Sequence, residues 1–548
     1  GATGRLPAGG LTVDNATFTQ VAGGFIDPAN VVTINGAGVA TLTGSNTLAG
    51  LVFNNQGGIA NPTLTTGGTL ALTGGITASS ANTATLATIN GFVDFQNASQ
   101  TITVNPLAYN GRTITNLTPT LSVAAVIQNA TGLTVNGNGL LQLGGASTFT
   151  GGVNVTGSSG LLINASSTPT VGTVTSGPVG TGMLTLGNNT RLVSGGAFTL
   201  ANPVTLGGNL VFDGAASSLT LSGSVALPAG APSAITVTAP QVTLTLSGSL
   251  GGVGSSLVKT GWGALSLTGS NVYDAGTTLQ LGTLSLGNAY AIGSGTLTIA
   301  GGLLNSSVAN LVLATSNPQV WSGDFGFTGT QNLNLGTGPV SITGTNNRTI
   351  SVAANTLTIG GPITETVPGT SLTKLDAGTL VLAGTNTLTG GYVVQAGTLQ
   401  FNSLATGSVS IGGGTVSYLF DGNGGPAFTG GNGTGAPQTV SFGGPVTVTG
   451  SGGIIVNRLG TTYAPLYTTA LNKTASFTDL SIAANQAFTV TNSNGYGVLF
   501  TGSTTMSGST TFSVANATDS IAPAQGLTLG GIVSGPLGLT KTGAGTLV

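Results

Sequence analysis

Leu372-Thr373-Lys374-Leu375-Asp376-Ala377-Gly378-Thr379-Leu380 reads as two short extended runs joined by a turn. Apolar and Thr residues alternate with period two on both sides of a centre that carries Gly. The same frame returns as Leu257-Val258-Lys259-Thr260-Gly261-Trp262-Gly263-Ala264-Leu265 and as Leu539-Thr540-Lys541-Thr542-Gly543-Ala544-Gly545-Thr546-Leu547. A strand-and-turn phrase precedes each copy: Leu357-Thr358-Ile359-Gly360-Gly361, Leu244-Thr245-Leu246-Ser247-Gly248 and Leu527-Thr528-Leu529-Gly530-Gly531. Two further copies keep the outline with an apolar residue at the lysine position, Val135 within 133–141 and Ile34 within 32–40. Repeat-like segments therefore lie near 32–50, 133–152, 244–299, 357–400 and 527–548. A strand of three to six residues cannot bury enough surface alone. Equivalent strands stacked on successive coils can share a continuous core.

Between these segments the strand rhythm persists without a charge run or Pro-rich linker, and the chain reads as one continuous body over 1–548. Gly recurs 95 times, and the only Glu is Glu365; long helices are not expected. The fold class expected is all-β, a parallel β-helix (β-solenoid) forming an elongated rod. Rungs of roughly 20–25 residues, spaced ~4.8 Å apart, would make it over ~100 Å long.

After the core frame the chain continues Leu382-Ala383-Gly384-Thr385-Asn386, with related forms Leu267-Thr268-Gly269-Ser270-Asn271 and Leu42-Thr43-Gly44-Ser45-Asn46, and then reaches Ala396-Gly397-Thr398-Leu399. A companion phrase occurs as Gly180-Thr181-Gly182-Met183-Leu184-Thr185-Leu186 and as Gly293-Ser294-Gly295-Thr296-Leu297-Thr298-Ile299. Together these motifs resemble the autotransporter-associated β-strand repeat, also called the passenger-associated transport repeat. Recognisable copies cover about a third of the chain by the boundaries above. The resemblance implies a right-handed β-helix, carried as a passenger through the outer membrane by a type V route.

Composition narrows the function. Only 9 Lys and Arg and 11 Asp and Glu occur in 548 residues, with net charge -2, so exposed positions must be filled by Thr, Ser, Asn and Gly. The basic residues are scattered from Arg5 to Lys541, which argues against nucleic acid as a partner. Apolar runs such as Val123-Ala124-Ala125-Val126-Ile127 fall far short of the ~20 residues of a spanning helix, so no transmembrane segment is expected. Strands interrupted by Gly and poor in aromatics do not fit an outer-membrane barrel either. Gly1-Ala2-Thr3-Gly4-Arg5 has no signal-peptide pattern, and the last residues stop inside a repeat frame; export is expected to depend on segments outside this chain.

Cys and His are both absent. Disulfides, thiolate metal sites and imidazole bases are thereby ruled out. Acids are isolated, and Lys374 beside Asp376 is expected to form a solvated pair lacking the second carboxylate that glycoside hydrolysis uses. Asp421-Gly422-Asn423-Gly424-Gly425 is a single copy of a calcium-loop phrase that needs stacked copies, and reads as a polar turn. Lys259, Lys374 and Lys541 share one repeat position; the expectation is a stem lying over an apolar rung with its ammonium in water. Trp262, flanked by Gly261 and Gly263, and Trp321 are sugar-stacking candidates for which packing is the commoner role. Thr243-x-Thr245 suggests an ice-binding face only if paired in register on every rung. No residue is therefore assigned to catalysis, to a cofactor or to a metal. The expected role is non-enzymatic and extracellular or at the bacterial cell surface. First comes a structural fibre formed by self-association of solenoid rods; the alternative is an adhesin passenger that binds glycans or surfaces.

Overall fold

The computed structural model describes residues 5–114, 118–214, 217–344, 347–403, 405, 407–420, 438–459, 473–493, 495–516 and 526–548. They contain strands and turns and no helix, so no helix there is long and apolar enough to cross a membrane. Two compact units are present, one dominated by residues 1–277 and the other by 294–548.

In the first unit, strands of two to six residues stack in parallel along three columns. One column runs through Val153–Val155, Leu184–Leu186, Val204–Leu206, Val225–Ala226 and Leu250–Gly251. A second runs through Gly160–Ile163, Thr190–Ser194, Leu210–Asp213, Pro232–Val237 and Ser256–Thr260. The third passes through Phe198–Leu200, Leu219–Leu221, Thr243–Leu246 and Ala264–Leu267. Each coil advances by 20, 21 or 25 residues as Leu184 pairs with Val204, Val204 with Val225 and Val225 with Leu250. This is a parallel β-solenoid. Parallel ladders satisfy every short strand through the coils above and below, and period two sends Leu184, Val204, Val225 and Leu250 into the core.

The second unit repeats the scheme. One ten-strand parallel ladder leads from Leu311–Val312 to Leu539–Thr542. A four-strand ladder joins Gln438–Ser441, Lys473–Phe477, Gly497–Phe500 and Gly526–Leu529. Its core differs in kind. Phe401 stacks on Tyr418 at 5.3 Å between ring centres, Phe442 on Phe477 at 5.8 Å, and Tyr418 meets both Phe442 (4.4 Å) and Phe477 (5.2 Å).

Buried asparagines hold two of the corners marked by the Leu-x-Gly-x-Asn phrase, at Asn271 and Asn46, whereas at Asn386, equally buried, neither side-chain amide atom has a hydrogen-bond partner among the described residues. Asn271 Oδ1 accepts from the Leu250 amide at 2.8 Å, and its Nδ2 donates to the Ala291 carbonyl at 2.5 Å, one coil to either side. Asn46 accepts from Gln20 Nε2 at 2.7 Å and from the Gly24 amide at 3.3 Å. Elsewhere Asn202 Nδ2 donates to the carbonyls of Gly180 and Gly182. A side-chain amide supplies one donor and one acceptor where the ladder is interrupted. Asn271→Leu is expected to leave two backbone groups unpaired and to destabilise the coil by about 2–3 kcal/mol, read as a lowered denaturant midpoint of the isolated chain.

Candidate functional site

The recurrent lysine is a structural clamp. Lys259 Nζ donates to the carbonyls of Thr260 (2.8 Å), Gly261 (2.7 Å) and Leu281 (2.9 Å). Lys374 Nζ does the same to Leu375 (2.7 Å), Asp376 (2.6 Å) and Ala396 (3.2 Å). Both residues are 0 % exposed, so the ammonium is not in water as the sequence suggested. The reason is the turn. Gly261 has φ +74 and Asp376 φ +66, a left-handed conformation that aims consecutive carbonyls at one point. A Cβ on Gly261 would lie 2.3 Å from the Val237 carbonyl oxygen; Asp is among the few other residues that enter this region. The third carbonyl comes from the following coil, at Leu281-Gly282-Thr283-Leu284 or Ala396-Gly397-Thr398-Leu399. There a Cβ on Gly282 would sit 2.8 Å from Lys259 Nζ. Two phrases of the repeat, about 22 residues apart, are thus halves of one cage. Desolvation lowers the Lys259 and Lys374 ammonium groups to about 8. Lys541, on the exposed strand Leu539–Thr542, donates to the Gly543 carbonyl at 2.5 Å.

The other sequence candidates separate. Lys374 contacts the Asp376 backbone, while the Asp376 carboxylate accepts from Ser351 Oγ, so the expected solvated pair is replaced by two distinct contacts. Trp321 is fully buried, its Nε1 donating to Gln319 Oε1 at 3.2 Å with Phe325 edge-on at 5.2 Å. Trp262 is 65 % exposed. Thr243 and Thr245 align with Ala264 and Ser266 on the next coil, which breaks a Thr array. The Asp421 phrase lies outside the described residues. Among the described residues no three Asp or Glu gather as metal ligands.

A site that sequence reasoning missed is a cleft of about 330 Å³ in the first unit. Its floor is one outward-facing column. Leu140 aligns with Gly160, Gly160 with Arg191, and Arg191 with Val211, while the neighbouring Leu141, Leu161, Leu192 and Phe212 point inward and are fully buried. The Leu140 side chain lies across Gly160, where a Cβ would meet Leu140 Cδ1 at 2.7 Å and Arg191 Cβ at 3.6 Å. Two residues earlier on each coil, Asn138, Ser158 and Asn189 form a polar side; Asn138 and Asn189 occupy left-handed turns at φ +66 and +60. The roof is an excursion containing the antiparallel hairpin Ala108–Tyr109 with Arg112–Thr113, whose Leu107, Thr113 and Ile114 face the cleft. Its base is pinned by Thr120, which donates from its amide to Leu140 O at 2.8 Å and from Oγ1 to Asn105 O at 2.8 Å. Arg191 Nε lies 3.9 Å from the Asp213 carboxylate, which in turn accepts from Thr238 Oγ1 at 2.6 Å. The one signal for the excursion in the sequence is Asn110-Gly111, a two-residue hairpin turn with φ +49 and +73.

The Passenger-associated-transport-repeat family matches residues 133–157, 257–286 and 372–401, and the last two segments each contain a complete lysine cage. The chain carries passenger-associated transport repeats. This repeat protein is also similar to the Adhesin BmaC autotransporter of Brucella suis biovar 1 (strain 1330), at 30 % identity over 423 residues. The match takes in 72 % of the chain and 11 % of that relative's length. No solved structure matches it.

Proposed function

We propose that this repeat protein is part of the passenger of a bacterial autotransporter adhesin, displayed outside the cell. The solenoid acts as a non-catalytic scaffold, wound right-handed as the family resemblance implies, and its excursions hold a surface ligand. The similarity to an autotransporter adhesin over 423 residues carries this reading, and it favours adhesion over the fibre role that the uncharged β surface first suggested. The layout supports it: the ladders and core are occupied with their own backbone, leaving departures such as the hairpin Ala108–Tyr109 with Arg112–Thr113 free for recognition.

Beads coated with the purified chain are expected to be retained on cultured host cells or immobilised extracellular glycans well above uncoated beads. Retention no greater than the bare surface, with regular filaments in electron micrographs, would overturn the adhesin reading in favour of the fibre.

A further inference from the structure

We propose that the cleft floored by Gly160 binds a neutral saccharide ring, at the level of one or two sugar units. This rests on the adhesin reading and names the ligand class of its site. The volume of about 330 Å³ falls at the lower end of small-ligand sites. Its chemistry is divided as a sugar's is. Leu140 and Val211 offer an apolar floor to the C–H face of a pyranose. Asn138, Ser158 and Asn189 line one side, and Thr113 and Thr118 also line the cleft. These are hydroxyls and amides, each able to donate or accept, which suits a ring bearing several hydroxyls.

Charge selects the neutral class. Among the described residues that line the cleft Arg191 is the only cation, and it is already opposed by Asp213 at 3.9 Å. A uronic or sialic acid would need a cation whose charge is not already balanced, and its carboxylate would approach Asp213. A neutral hydroxyl pair, in contrast, can accept from a guanidinium and donate to a carboxylate together.

The site is also built in advance of any ligand. Asn138 is positioned by two bonds to the next coil, its amide donating to Ser159 Oγ at 3.1 Å and its Oδ1 accepting from the Ser158 amide at 3.3 Å. The floor belongs to hydrogen-bonded ladders, with the Leu140 side chain already seated over Gly160.

The test uses the whole chain and soluble sugars. Saturation-transfer NMR and calorimetry against a panel of neutral hexoses, N-acetylhexosamines and their disaccharides, with uronic and sialic acids beside them, are expected to show millimolar or tighter binding to a neutral member. Gly160→Leu, at a position whose φ suits any residue, displaces the Leu140 side chain that lies across it, and should weaken that binding at least tenfold. Val211→Trp, which enlarges the half-buried end of the floor, should do the same if Gly160→Leu folds poorly. Trp262→Ala should leave the affinity unchanged. No binding by any neutral sugar, a preference for the acidic ones, or affinity unaffected by folded Gly160→Leu and Val211→Trp would each overturn the assignment. Bead retention separates the two readings: retention that survives both variants removes the cleft and keeps the adhesin, while sugar binding without retention keeps the cleft and removes the adhesin.

Discussion

Phe477→Ala is expected to destabilise the second unit by about 3–5 kcal/mol, the largest loss from any single truncation considered for this chain. Phe477 lies between coils, with ring centres 5.2 Å from Tyr418, 5.8 Å from Phe442 and 5.5 Å from Phe500, and it is 2 % exposed. Truncation removes the burial of the ring, leaves a cavity that flanking ladders cannot close, and deletes three aromatic contacts. Because a solenoid is held by nearest-neighbour terms, the damage should be local. Hydrogen exchange should speed up in 473–493 and 495–516 and stay unchanged in 184–260. Uniform acceleration in both regions would mean that the chain unfolds as one cooperative body. Leu244→Ala, at a fully buried position of the first unit, supplies the comparison and should cost about 2–4 kcal/mol.

That contrast between units was only partly legible beforehand. The strand rhythm, the left-handed glycine at 261 and the coil length could be read from residues because each is a local property: period two, a φ that only a few residues tolerate, and a repeat distance. Grouping of Phe401, Tyr418, Phe442, Phe477 and Phe500 into one stack could not, since it depends on register between residues separated by one or more coils. The lysine was misread for a related reason. An apolar flank around Lys374 is visible in sequence, whereas convergence of the carbonyls of 375, 376 and 396 appears only once the turn is wound and the following coil laid against it. The cleft was hidden more deeply still. Its floor joins Leu140, Gly160, Arg191 and Val211 at intervals of 20, 31 and 20 residues, so no periodicity marks it.

The caged lysines set the pH response. Desolvation places the Lys259 and Lys374 ammonium groups at about 8 in the folded chain, against ~10.4 when unfolded. Below about pH 8 both states hold the proton and the folded state bears the full burial penalty. Between there and about 10.4 the folded chain loses the proton while the unfolded chain keeps it, so stability rises with pH, by ~1–2 kcal/mol for each lysine after allowing for solvent screening. The buried phenols of Tyr273, Tyr392 and Tyr418 are pushed upward by desolvation, and above about pH 10 the unfolded chain ionises them first, so stability falls. Urea midpoints measured from pH 7 to 11 should therefore climb to a maximum near pH 10 and then drop. In a Lys259→Met, Lys374→Met double variant the climb should flatten while the alkaline drop remains, because the apolar side chains at the equivalent Ile34 and Val135 are fully buried in the same frame. A midpoint that stays level or declines between pH 8 and 10 in the unaltered chain would show that three carbonyl oxygens hold each ammonium strongly enough to offset its removal from water. The cages would then stabilise the fold through charge, and the double variant should lose stability at every pH.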